Sequence, residues 1–351
     1  MTTDALYSAV RALPKIELHR HLEGAVRLQT LVDIAHDAGI EMPEYDAETL
    51  RPFVQMMPGE THDHLHFLSK FHTLRQFFRS PEIIQRVARE VVADAAADNV
   101  KYMELRFTPR ALSNILNCSY EEIISWVCQA ASAEAAAHNI QVRYIVSMNR
   151  HESVEIGEQV LNAALALRAL GIVAIDLAGN ENGFPAEPFR DVFERAKTAG
   201  MGVTIHAGEW AGVESMYTAI HNLGADRIGH GVRALEDPGL VDLLTERQIV
   251  LEICPTSNVH SGVVSDWTEH PIQALYKNRV RTTINTDDPL VSNITLSDEI
   301  VRALEHMAFN LDDIKTQTLT AARAAFLPPD ERDTLAAQFE TWFAAAVEKQ
   351  N

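Results

Sequence analysis

Two histidines lie two residues apart in "KIELHRHLEG", residues 15–24, a segment that otherwise alternates like a β-strand. Side chains at positions i and i+2 of a strand point to the same face. His19 and His21 are therefore predicted to converge on one point, while Arg20 faces the other way. What the two imidazole groups bind depends on which other side chains reach that point.

Polar side chains also follow other short apolar segments of the chain. His206 and Glu209 lie at the end of "GVTIHAGE", and His230 lies near the end of "RIGHG". Asp287 and Asp288 follow the apolar part of "VRTTINTDDP". Barrel enzymes place their active sites at the carboxyl ends of parallel strands. These residues are therefore predicted to meet in space although they are far apart in sequence.

This combination of side chains predicts a metal site. Imidazole groups with a carboxylate suit Zn²⁺ first, and Fe²⁺, Co²⁺ and Mn²⁺ are also compatible with such ligands. We interpret four residues as ligands of one ion per chain: His19, His21, His206 and Asp287. A coordination position left to water would make the centre catalytic, because a bound ion can lower the pKa of water from about 15.7 to roughly 7.

Four further residues are candidates for catalysis or substrate binding. Glu209 lies three residues after His206 and could act as a general acid, and His230 could orient or deprotonate the attacking water. Adjacent side chains of a strand point apart, which leaves Asp288 free to bind a substrate. Gly179, at the end of "DLAG", would let a substrate approach the backbone. The alternative for each is structural: a helix cap, a buried histidine or a turn.

Two other groups could bind metal but have a simpler interpretation. "THDHLHFLSKFH" contains His62, His64, His66 and His72, of which the first and third share a helical face. It has no carboxylate cluster on a predicted strand end, so we expect a solvated helix. Cys254, followed by proline, is expected to be a small buried hydrophobic residue.

The elements that position these residues are visible in the hydrophobic pattern. Eight short segments rich in β-forming residues begin near residues 14, 100, 142, 173, 202, 226, 249 and 280. Helical periodicity separates most of them, for example at 157–170, 189–200 and 239–248. Eight strands alternating with helices predict an α/β fold of the (β/α)₈ TIM-barrel type.

Two additions to the barrel are expected. Residues of about 25–99 are too many for one crossover and predict a helical insertion over the mouth of the barrel. Within it, 64–78 is a candidate lid, with an apolar stripe made by Leu65, Leu68, Phe71 and Leu74. Extra helices are expected after the eighth strand. We see no linker or repeat and predict a single domain, 1–351.

Composition and charge narrow the function classes. The formal net charge is −19, from 49 acidic and 30 basic residues, and no basic run is present, which argues against nucleic acid as a partner. The three cysteines form no C-x-x-C pair, which favours a reducing cytoplasm. No apolar stretch approaches a membrane span, so no membrane association is expected. The oligomeric state is left open.

With these motifs in view, the sequence resembles the adenosine deaminase family within the amidohydrolase group. Seven segments occur in the family's order, between about 14 and 328: "ELHRHLEG", "ELRFTP", "IDLAGNE", "HAGE", "RIGHG", "CPTSN" and "NTDDP". The resemblance implies that zinc-bound hydroxide attacks C6 of an adenine ring and that ammonia leaves, which converts adenosine to inosine. The implied partner is a small purine nucleoside.

The resemblance also implies a role for each candidate residue. The four ligands above would hold zinc, Glu209 would donate a proton to purine N1, and His230 would position the water. Asp288 would accept a hydrogen bond from N7, and the backbone N–H of Gly179 would reach N3. The implied substrate-binding residues are His21, Glu23, Gly179 and Asp288.

One position departs from the adenosine-specific pattern. Glu23 stands where those enzymes usually carry an aspartate that contacts the ribose 5′ hydroxyl. The alternatives are therefore a deaminase of free adenine or of a 5′-modified adenosine, such as aminofutalosine or methylthioadenosine. A non-catalytic binding or signalling relative is a more remote alternative. "VAIDLAG" has no lysine, which disfavours a two-metal amidohydrolase, and the H-x-E and P-C-x-x-C motifs of cytidine-type deaminases are missing.

Overall fold

Eight parallel strands form one sheet in which each strand pairs with the next along the chain. The computed structural model describes residues 3–42 and 44–348. The strands are β1 Lys15–His21, β2 Val100–Phe107, β3 Gln141–Asn149, β4 Ile172–Ala178, β5 Gly202–Ala207, β6 Arg227–His230, β7 Val250–Ile253 and β8 Arg281–Ile284. The predicted (β/α)₈ barrel is confirmed, and each strand begins within one residue of its predicted start.

Closure of the barrel between β1 and β8 involves the segment that follows β8. The backbone N–H of Leu18 donates to Oδ1 of Asn285 at 2.9 Å. The N–H of His21 donates to the carbonyl of Asp287 at 2.9 Å, and the N–H of Asp287 donates to the carbonyl of His19 at 3.0 Å. The closure therefore joins three of the four predicted metal ligands through their backbone.

Helices surround the sheet on its outer side. Within the described residues the α-helices are α1 Thr3–Ala12, α2 Leu28–Ala38, α3 Ala47–Val54, α4 His64–Leu74, α5 Pro81–Ala97, α6 Pro109–Ser113, α7 Tyr120–His138, α8 Val154–Ala166, α9 Arg190–Thr198, α10 Val213–His221, α11 Pro238–Glu246, α12 Pro255–His260, α13 Ile272–Lys277, α14 Pro289–Ser292, α15 Leu296–His306, α16 Leu311–Ala324 and α17 Pro329–Glu348. Short 3₁₀ turns occur at Arg75–Phe77, Arg168–Leu170, Glu187–Phe189, Val232–Glu236 and Trp267–Glu269.

The predicted helical segments differ from the observed helices mainly at their ends. The segment 157–170 corresponds to α8, which begins earlier because Ser153 accepts a hydrogen bond from the N–H of Ile156 and caps the first turn. The end of the same segment is a 3₁₀ turn that stops at Gly171, which adopts φ of 95°. Capping chemistry, rather than hydrophobic periodicity, sets these boundaries.

The long connection between β1 and β2 contains α2, α3, α4 and α5. Helix α4 contributes Phe67 and Phe71 to the mouth of the barrel. The predicted apolar stripe is wrong at Leu65, whose side chain is 63% exposed, whereas Phe67 and Leu74 are buried. A helix turns by about 100° per residue, so Leu65 lies about 200° around α4 from Phe67 and faces solvent.

The extra helices expected after β8 are present. Phe339 and Phe343 of α17 pack in one buried cluster with Leu18 of β1 and Tyr102 of β2. These helices therefore cover the outer face of the first two strands. In the described part of the chain, none of the helices combines the length and the apolar character that a membrane span requires.

Candidate metal centre and active site

The carboxyl ends of the strands surround a cavity of about 180 Å³. Eight of the nine predicted site residues line it, and they are His21, Glu23, Gly179, His206, Glu209, His230, Asp287 and Asp288. The ninth, His19, is fully buried and lies beneath them. The structure therefore brings together the whole set that the sequence placed on separate strands.

Histidine nitrogens converge on the carboxylate of Asp287. Its Oδ1 lies 3.2 Å from Nε2 of His19 and 3.3 Å from Nε2 of His21. Nε2 of His21 also lies 3.3 Å from Nε2 of His206. Nitrogen and carboxylate oxygen atoms at such short mutual distances are the ligand set that a divalent transition metal prefers.

Two buried carboxylates fix the orientation of the imidazole rings. Nδ1 of His19 donates to Oε2 of Glu252 at 2.8 Å, and Nδ1 of His206 donates to Oδ1 of Asp176 at 2.9 Å. Both rings must then carry their hydrogen on Nδ1, which leaves the lone pair of Nε2 free for a metal ion. Nε2 of His19 is buried and has no hydrogen-bond partner among the described residues. These observations fit a bound metal.

The carboxylate of Asp287 is ionised. Burial opposes its ionisation, but the neighbouring imidazoles of His19, His230 and His21 hold its pKa well below the usual range. The hydroxyl of Ser257 donates to Oδ2 at 2.7 Å and so fixes the other oxygen. Asp287 itself has φ of 62°, a left-handed conformation that is unusual for a residue with a side chain and that turns the backbone out of β8.

His230 differs from these histidines because its Nδ1 accepts a hydrogen bond. The backbone N–H of Ile272 donates to Nδ1 of His270 at 3.1 Å, so that ring carries its hydrogen on Nε2. Nε2 of His270 then donates to Oδ1 of Asn258 at 3.3 Å, and Nδ2 of Asn258 donates to Nδ1 of His230 at 3.1 Å. This chain of hydrogen bonds places the hydrogen of His230 on Nε2, which lies 3.6 Å from Oε2 of Glu209.

Distances alone would also allow His230 to be a metal ligand. One ligand atom each from His19, His206, His230 and Asp287 forms a group in which all distances are within 4.8 Å. An Nε2 that carries a hydrogen has no lone pair to offer a metal ion. The hydrogen-bond pattern therefore favours His21 over His230 as the third imidazole ligand.

Glu209 is a buried carboxyl group that faces the same cavity. Burial, together with the charges of Asp287 and Glu181, raises its pKa well above the usual value. This shift favours the protonated form of the carboxyl group, which can donate a proton as a general acid must.

The loop that carries Glu209 is fixed by one acidic residue. The carboxylate of Glu181 accepts hydrogen bonds of 2.7 to 3.0 Å from four successive backbone N–H groups, those of Gly208, Glu209, Trp210 and Ala211. Such a ring of donors around one carboxylate holds the backbone in a single conformation. Glu181 is the last residue of the "IDLAGNE" segment, and no local pattern in the sequence indicates this role.

Asp288 faces the cavity from the segment after β8. Burial, then the charges of Asp287 and Glu23, raise its pKa well above the usual value. Its Oδ1 is buried and has no hydrogen-bond partner in the described structure. A Cβ atom at Gly24 would collide with this carboxyl group, so the glycine after Glu23 is what gives Asp288 its position.

Glu23 and Gly179 lie on the wall of the cavity. Oε1 of Glu23 accepts a hydrogen bond from the backbone N–H of Thr108 at 2.7 Å, while Oε2 is buried without a partner within the described residues. Burial raises the pKa of Glu23 to about 7. Gly179 has φ of 87°, and a Cβ atom there would lie 2.8 Å from Nδ1 of His151. Both the conformation and the close approach require glycine.

The sequence also predicted that Cys254 is a small buried residue and that the histidines of "THDHLHFLSKFH" are solvated, and the structure differs between the two. Cys254 is buried, and burial raises the pKa of its thiol well above the usual value, as expected for a packed side chain. The histidines of α4 and the loop before it are not all solvated. His66 pairs with Glu60 at 3.0 Å, and His72 lines the mouth of the cavity.

Sequence reasoning missed the residues that orient the imidazole rings. They are Asp176, Glu252, Asn258 and His270, and all four are buried. A signal for two of them was present, because Asp176 and Glu252 are the only charged residues in the apolar segments "VAIDLAG" and "IVLEIC". A charged residue in the middle of a buried strand needs a partner, which these two find in histidines.

Comparison with known proteins identifies relatives over almost the whole chain. Residues 14–342 match the sequence model of the family described as "Adenosine deaminase". The chain is 37% identical to an adenosine deaminase of Erwinia tasmaniensis over 326 residues, which cover 93% of this chain and 98% of the relative.

Solved structures agree with this match. An amidohydrolase from Burkholderia ambifaria with bound Zn superposes with a TM-score of 0.90 at 27% identity, covering 99% of this chain and 95% of that one. An adenine deaminase from Arthrobacter aurescens superposes with a TM-score of 0.87 at 26% identity, covering 94% of this chain and 99% of that one.

Proposed function

Because the chain belongs to the adenosine deaminase family and is a metal-dependent hydrolytic deaminase, we propose that it removes the 6-amino group of adenosine to give inosine and ammonia. The observation that carries the proposal is the position of Glu209. Its carboxyl group, whose raised pKa favours the protonated form, faces the same cavity as His21, His206 and Asp287. An acid beside a metal site is what hydrolytic removal of an amino group requires.

The ion that we propose is one Zn²⁺ per chain. His19, His21, His206 and Asp287 would hold it, because nitrogen and carboxylate oxygen donors suit zinc and the hydrogen bonds to Glu252 and Asp176 leave two of the Nε2 lone pairs free. When bound, the ion supplies a Lewis acid that lowers the pKa of water and so makes a nucleophile available at neutral pH.

His230 positions the attacking water in this proposal. Burial keeps its pKa well below the usual value, so the ring is neutral. Its Nδ1 is occupied by Asn258, and its Nε2 carries a hydrogen that can be donated to the water oxygen. His230 therefore orients a lone pair of the water toward C6 rather than removing a proton.

Glu209 gives its proton to N1 of the purine as water adds to C6. Protonation of N1 removes the negative charge that would otherwise develop on the ring. Water loses its two protons in the course of the reaction: one restores the carboxyl group of Glu209, and the other passes to the amino group. The C6–N bond then breaks, ammonia leaves, and the ring becomes a 6-oxopurine. In the overall reaction, water supplies the oxygen atom of the 6-oxopurine and the two hydrogen atoms that the products gain, one on N1 and one on ammonia.

Asp288 and Gly179 hold the purine ring. N7 of neutral adenine has a lone pair and no hydrogen, so a hydrogen bond to Asp288 requires the proton to be on the carboxyl group. The raised pKa of Asp288 supports this assignment, in which Asp288 donates rather than accepts. The backbone N–H of Gly179 would donate to N3.

Glu23 lies where the 5′ end of the sugar would be recognised. Its Oε2 has no partner in the described structure and would accept a hydrogen bond from a 5′ hydroxyl or contact a 5′ substituent.

The three cysteines are free, which supports a cytoplasmic location for the reaction.

The proposal is tested with metal-replete protein and four substrates: adenosine, adenine, methylthioadenosine and aminofutalosine. Ammonia release is measured in parallel with the change in ultraviolet absorbance that accompanies conversion of an adenine ring to a hypoxanthine ring. Preference for adenosine supports the proposal. Preference for another of the four would identify a 5′-modified nucleoside or free adenine as the substrate. Absence of turnover by metal-loaded protein would overturn the deaminase assignment.

A further inference from the structure

The short helix α12 carries two side chains that support the site. In its first turn, the hydroxyl of Ser257 donates to Oδ2 of Asp287 at 2.7 Å, and Nδ2 of Asn258 donates to Nδ1 of His230 at 3.1 Å. Both supporting residues are fully buried. The position of this turn therefore sets the contacts of one proposed metal ligand and of the histidine that positions water.

The start of α12 receives no cap from its own segment of the chain. Cys254 precedes the helix and makes no side-chain cap, and Pro255, the first helical residue, has no backbone N–H. The next residue, Thr256, is fully buried and does have one. A buried N–H at the start of a helix has to find its acceptor outside the helix.

The acceptor for Thr256 comes from α15. Oε1 of Glu299 accepts from the N–H of Thr256 at 2.9 Å, across 43 positions of sequence. Nη1 of Arg302, about one turn later in α15, donates to the hydroxyl of the same threonine at 2.6 Å. Helix α15 therefore holds the residue that directly precedes Ser257 and Asn258.

Glu299 is itself fully buried, which is rare for a glutamate. Its Oε2 is buried and has no hydrogen-bond partner in the described structure. Burial also raises its pKa to about 7. A protonated carboxyl group keeps a carbonyl oxygen that can accept from an N–H, so the contact with Thr256 does not require the negative charge. What this position requires is an acceptor at Oε1.

The other hydrogen bonds of Asn258 hold the later part of α12. Its carbonyl oxygen accepts from the N–H groups of Val263 and Val264, each at 3.0 Å, and its Oδ1 lies 3.3 Å from Nε2 of His270. Loss of the contact at Thr256 would leave these bonds in place and release the beginning of the turn. Because hydrogen bonds weaken steeply with poor alignment, a small rotation of the turn would weaken the bond to His230.

We propose that Glu299 is a positioning residue: by accepting from the N–H of Thr256, it holds Asn258 at Nδ1 of His230 and so keeps the hydrogen of that ring on Nε2. Its effect on turnover rests on the proposed deaminase function. Its effect on the His230 ring is observable without turnover.

Two substitutions separate the acceptor from the charge. Glu299→Gln keeps an oxygen acceptor and removes the charge, whereas Glu299→Leu removes the acceptor and keeps a side chain of similar size. Gln317→Leu is the control for loss of a buried polar contact on an outer helix. Gln317 of α16 is 3% exposed, and its Nε2 donates to the hydroxyl of Thr282 at 2.9 Å, near the start of β8 and so away from the cavity.

The metal-loaded variants are compared in zinc content, kcat and KM. We expect Glu299→Leu to lower kcat roughly tenfold with KM and zinc content nearly unchanged, the lower end of the effect of residues that orient a functional histidine. Glu299→Gln should retain nearly the wild-type kcat because the acceptor remains. Gln317→Leu should leave kcat unchanged.

NMR of protein labelled with the heavy isotope of nitrogen in its histidine rings gives a readout that needs no substrate. The signals of His230 are assigned by their absence in His230→Gln. We expect the hydrogen on Nε2 in the wild type and in Glu299→Gln, and a mixture of the two N–H forms in Glu299→Leu. An inactive wild type would overturn the proposed function, and these spectra would still decide the role of Glu299.

An unchanged His230 spectrum in Glu299→Leu would overturn the proposal. Equal losses of kcat in Glu299→Gln and Glu299→Leu would also overturn it, because the charge and not the acceptor would then matter. If Glu299→Leu does not fold, Glu299→Asp takes its place with the same expected results, since its carboxyl group is withdrawn from Thr256 by one methylene.

Discussion

The three hydrogen bonds that end at Nδ1 of His230 distinguish this histidine from the proposed ligands. Asn258→Asp would replace the donor Nδ2 with a carboxylate oxygen that accepts from Nδ1. The ring would then carry its hydrogen on Nδ1, and Nε2 could no longer donate to water. We expect kcat to fall about 100-fold with little change in KM, because partners that fix the state of a functional histidine are typically worth about 10- to 100-fold.

Metal content and thermal stability should be measured with the same variant. Asn162→Asp on the exposed face of α8 is a matched control for the added charge. Wild-type kcat in metal-loaded Asn258→Asp would show that the state of His230 does not matter for turnover.

Glu209→Gln removes the proposed proton donor and keeps nearly the same shape. We expect kcat to fall by about 10² to 10⁴, the usual contribution of general acid catalysis, at unchanged metal content. The wild-type rate should also decline as pH rises through the raised pKa of Glu209, because only the protonated form can donate. That decline should be absent in the residual activity of Glu209→Gln.

The matched control for Glu209→Gln is Glu214→Gln, an exposed residue on α10 of the same region. A Glu209→Gln enzyme that keeps near-normal turnover would assign the proton to another group.

For single residues, the sequence predicted the side chains that face the cavity better than the side chains that orient them through hydrogen bonds. His206 and Asp287 follow recognisable strand segments, so their meeting depends only on the barrel closing. Which histidine Glu252 contacts depends instead on how β7 lies relative to β1, and these strands are not neighbours in the sheet. That relation is set by the curvature of the whole barrel and has no local signal.

Among the elements, α4 connects the insertion to the site. Phe71 lines the cavity and is partly buried, whereas the side chain of Leu65 on the same helix is exposed to solvent. Phe71→Ala should raise KM for the substrate roughly tenfold, because burial of an aromatic side chain against a ligand is worth about 1.5 kcal/mol or more. Leu65→Ala is the matched control and should leave KM unchanged.

Equal KM values for the two variants would show that Phe71 of α4 does not contribute to substrate binding. Stopped-flow tryptophan fluorescence on substrate addition then gives a separate measure of whether the helix moves, since Trp210 lies 5.5 Å from the ring of His64 at the start of α4.

The starts of the strands were predictable to within one residue because short segments rich in β-forming residues mark them, whereas the quoted segments extend beyond the observed ends of the strands. The exposed side of α4 was not predictable, because its sequence places apolar residues on two faces. Only the position of the helix over the barrel decides which face is covered, and that position comes from tertiary packing.

On the scale of the whole molecule, the proposed ligands connect separate parts of the barrel. His19 and His21 belong to β1, His206 to β5, and Asp287 follows β8. The single domain predicted for 1–351 extends beyond the described residues and stays a prediction. A metal ion at this point would nevertheless link the strand that begins the barrel, the segment that closes it and a strand on the far side.

Removal of the ion should therefore destabilise the fold as well as abolish turnover. Binding to the folded state alone contributes about 4 kcal/mol when the free ion exceeds its Kd roughly 1,000-fold, and this contribution is lost on chelation. We expect Tm to fall by several degrees with a chelator and to recover with zinc. Asp287→Ala should have the lower Tm from the start and should respond weakly to chelator. A wild-type Tm that is the same with and without chelator, in protein shown to lose its metal, would mean that the ligands are held in place by Glu252, Asp176 and the barrel alone.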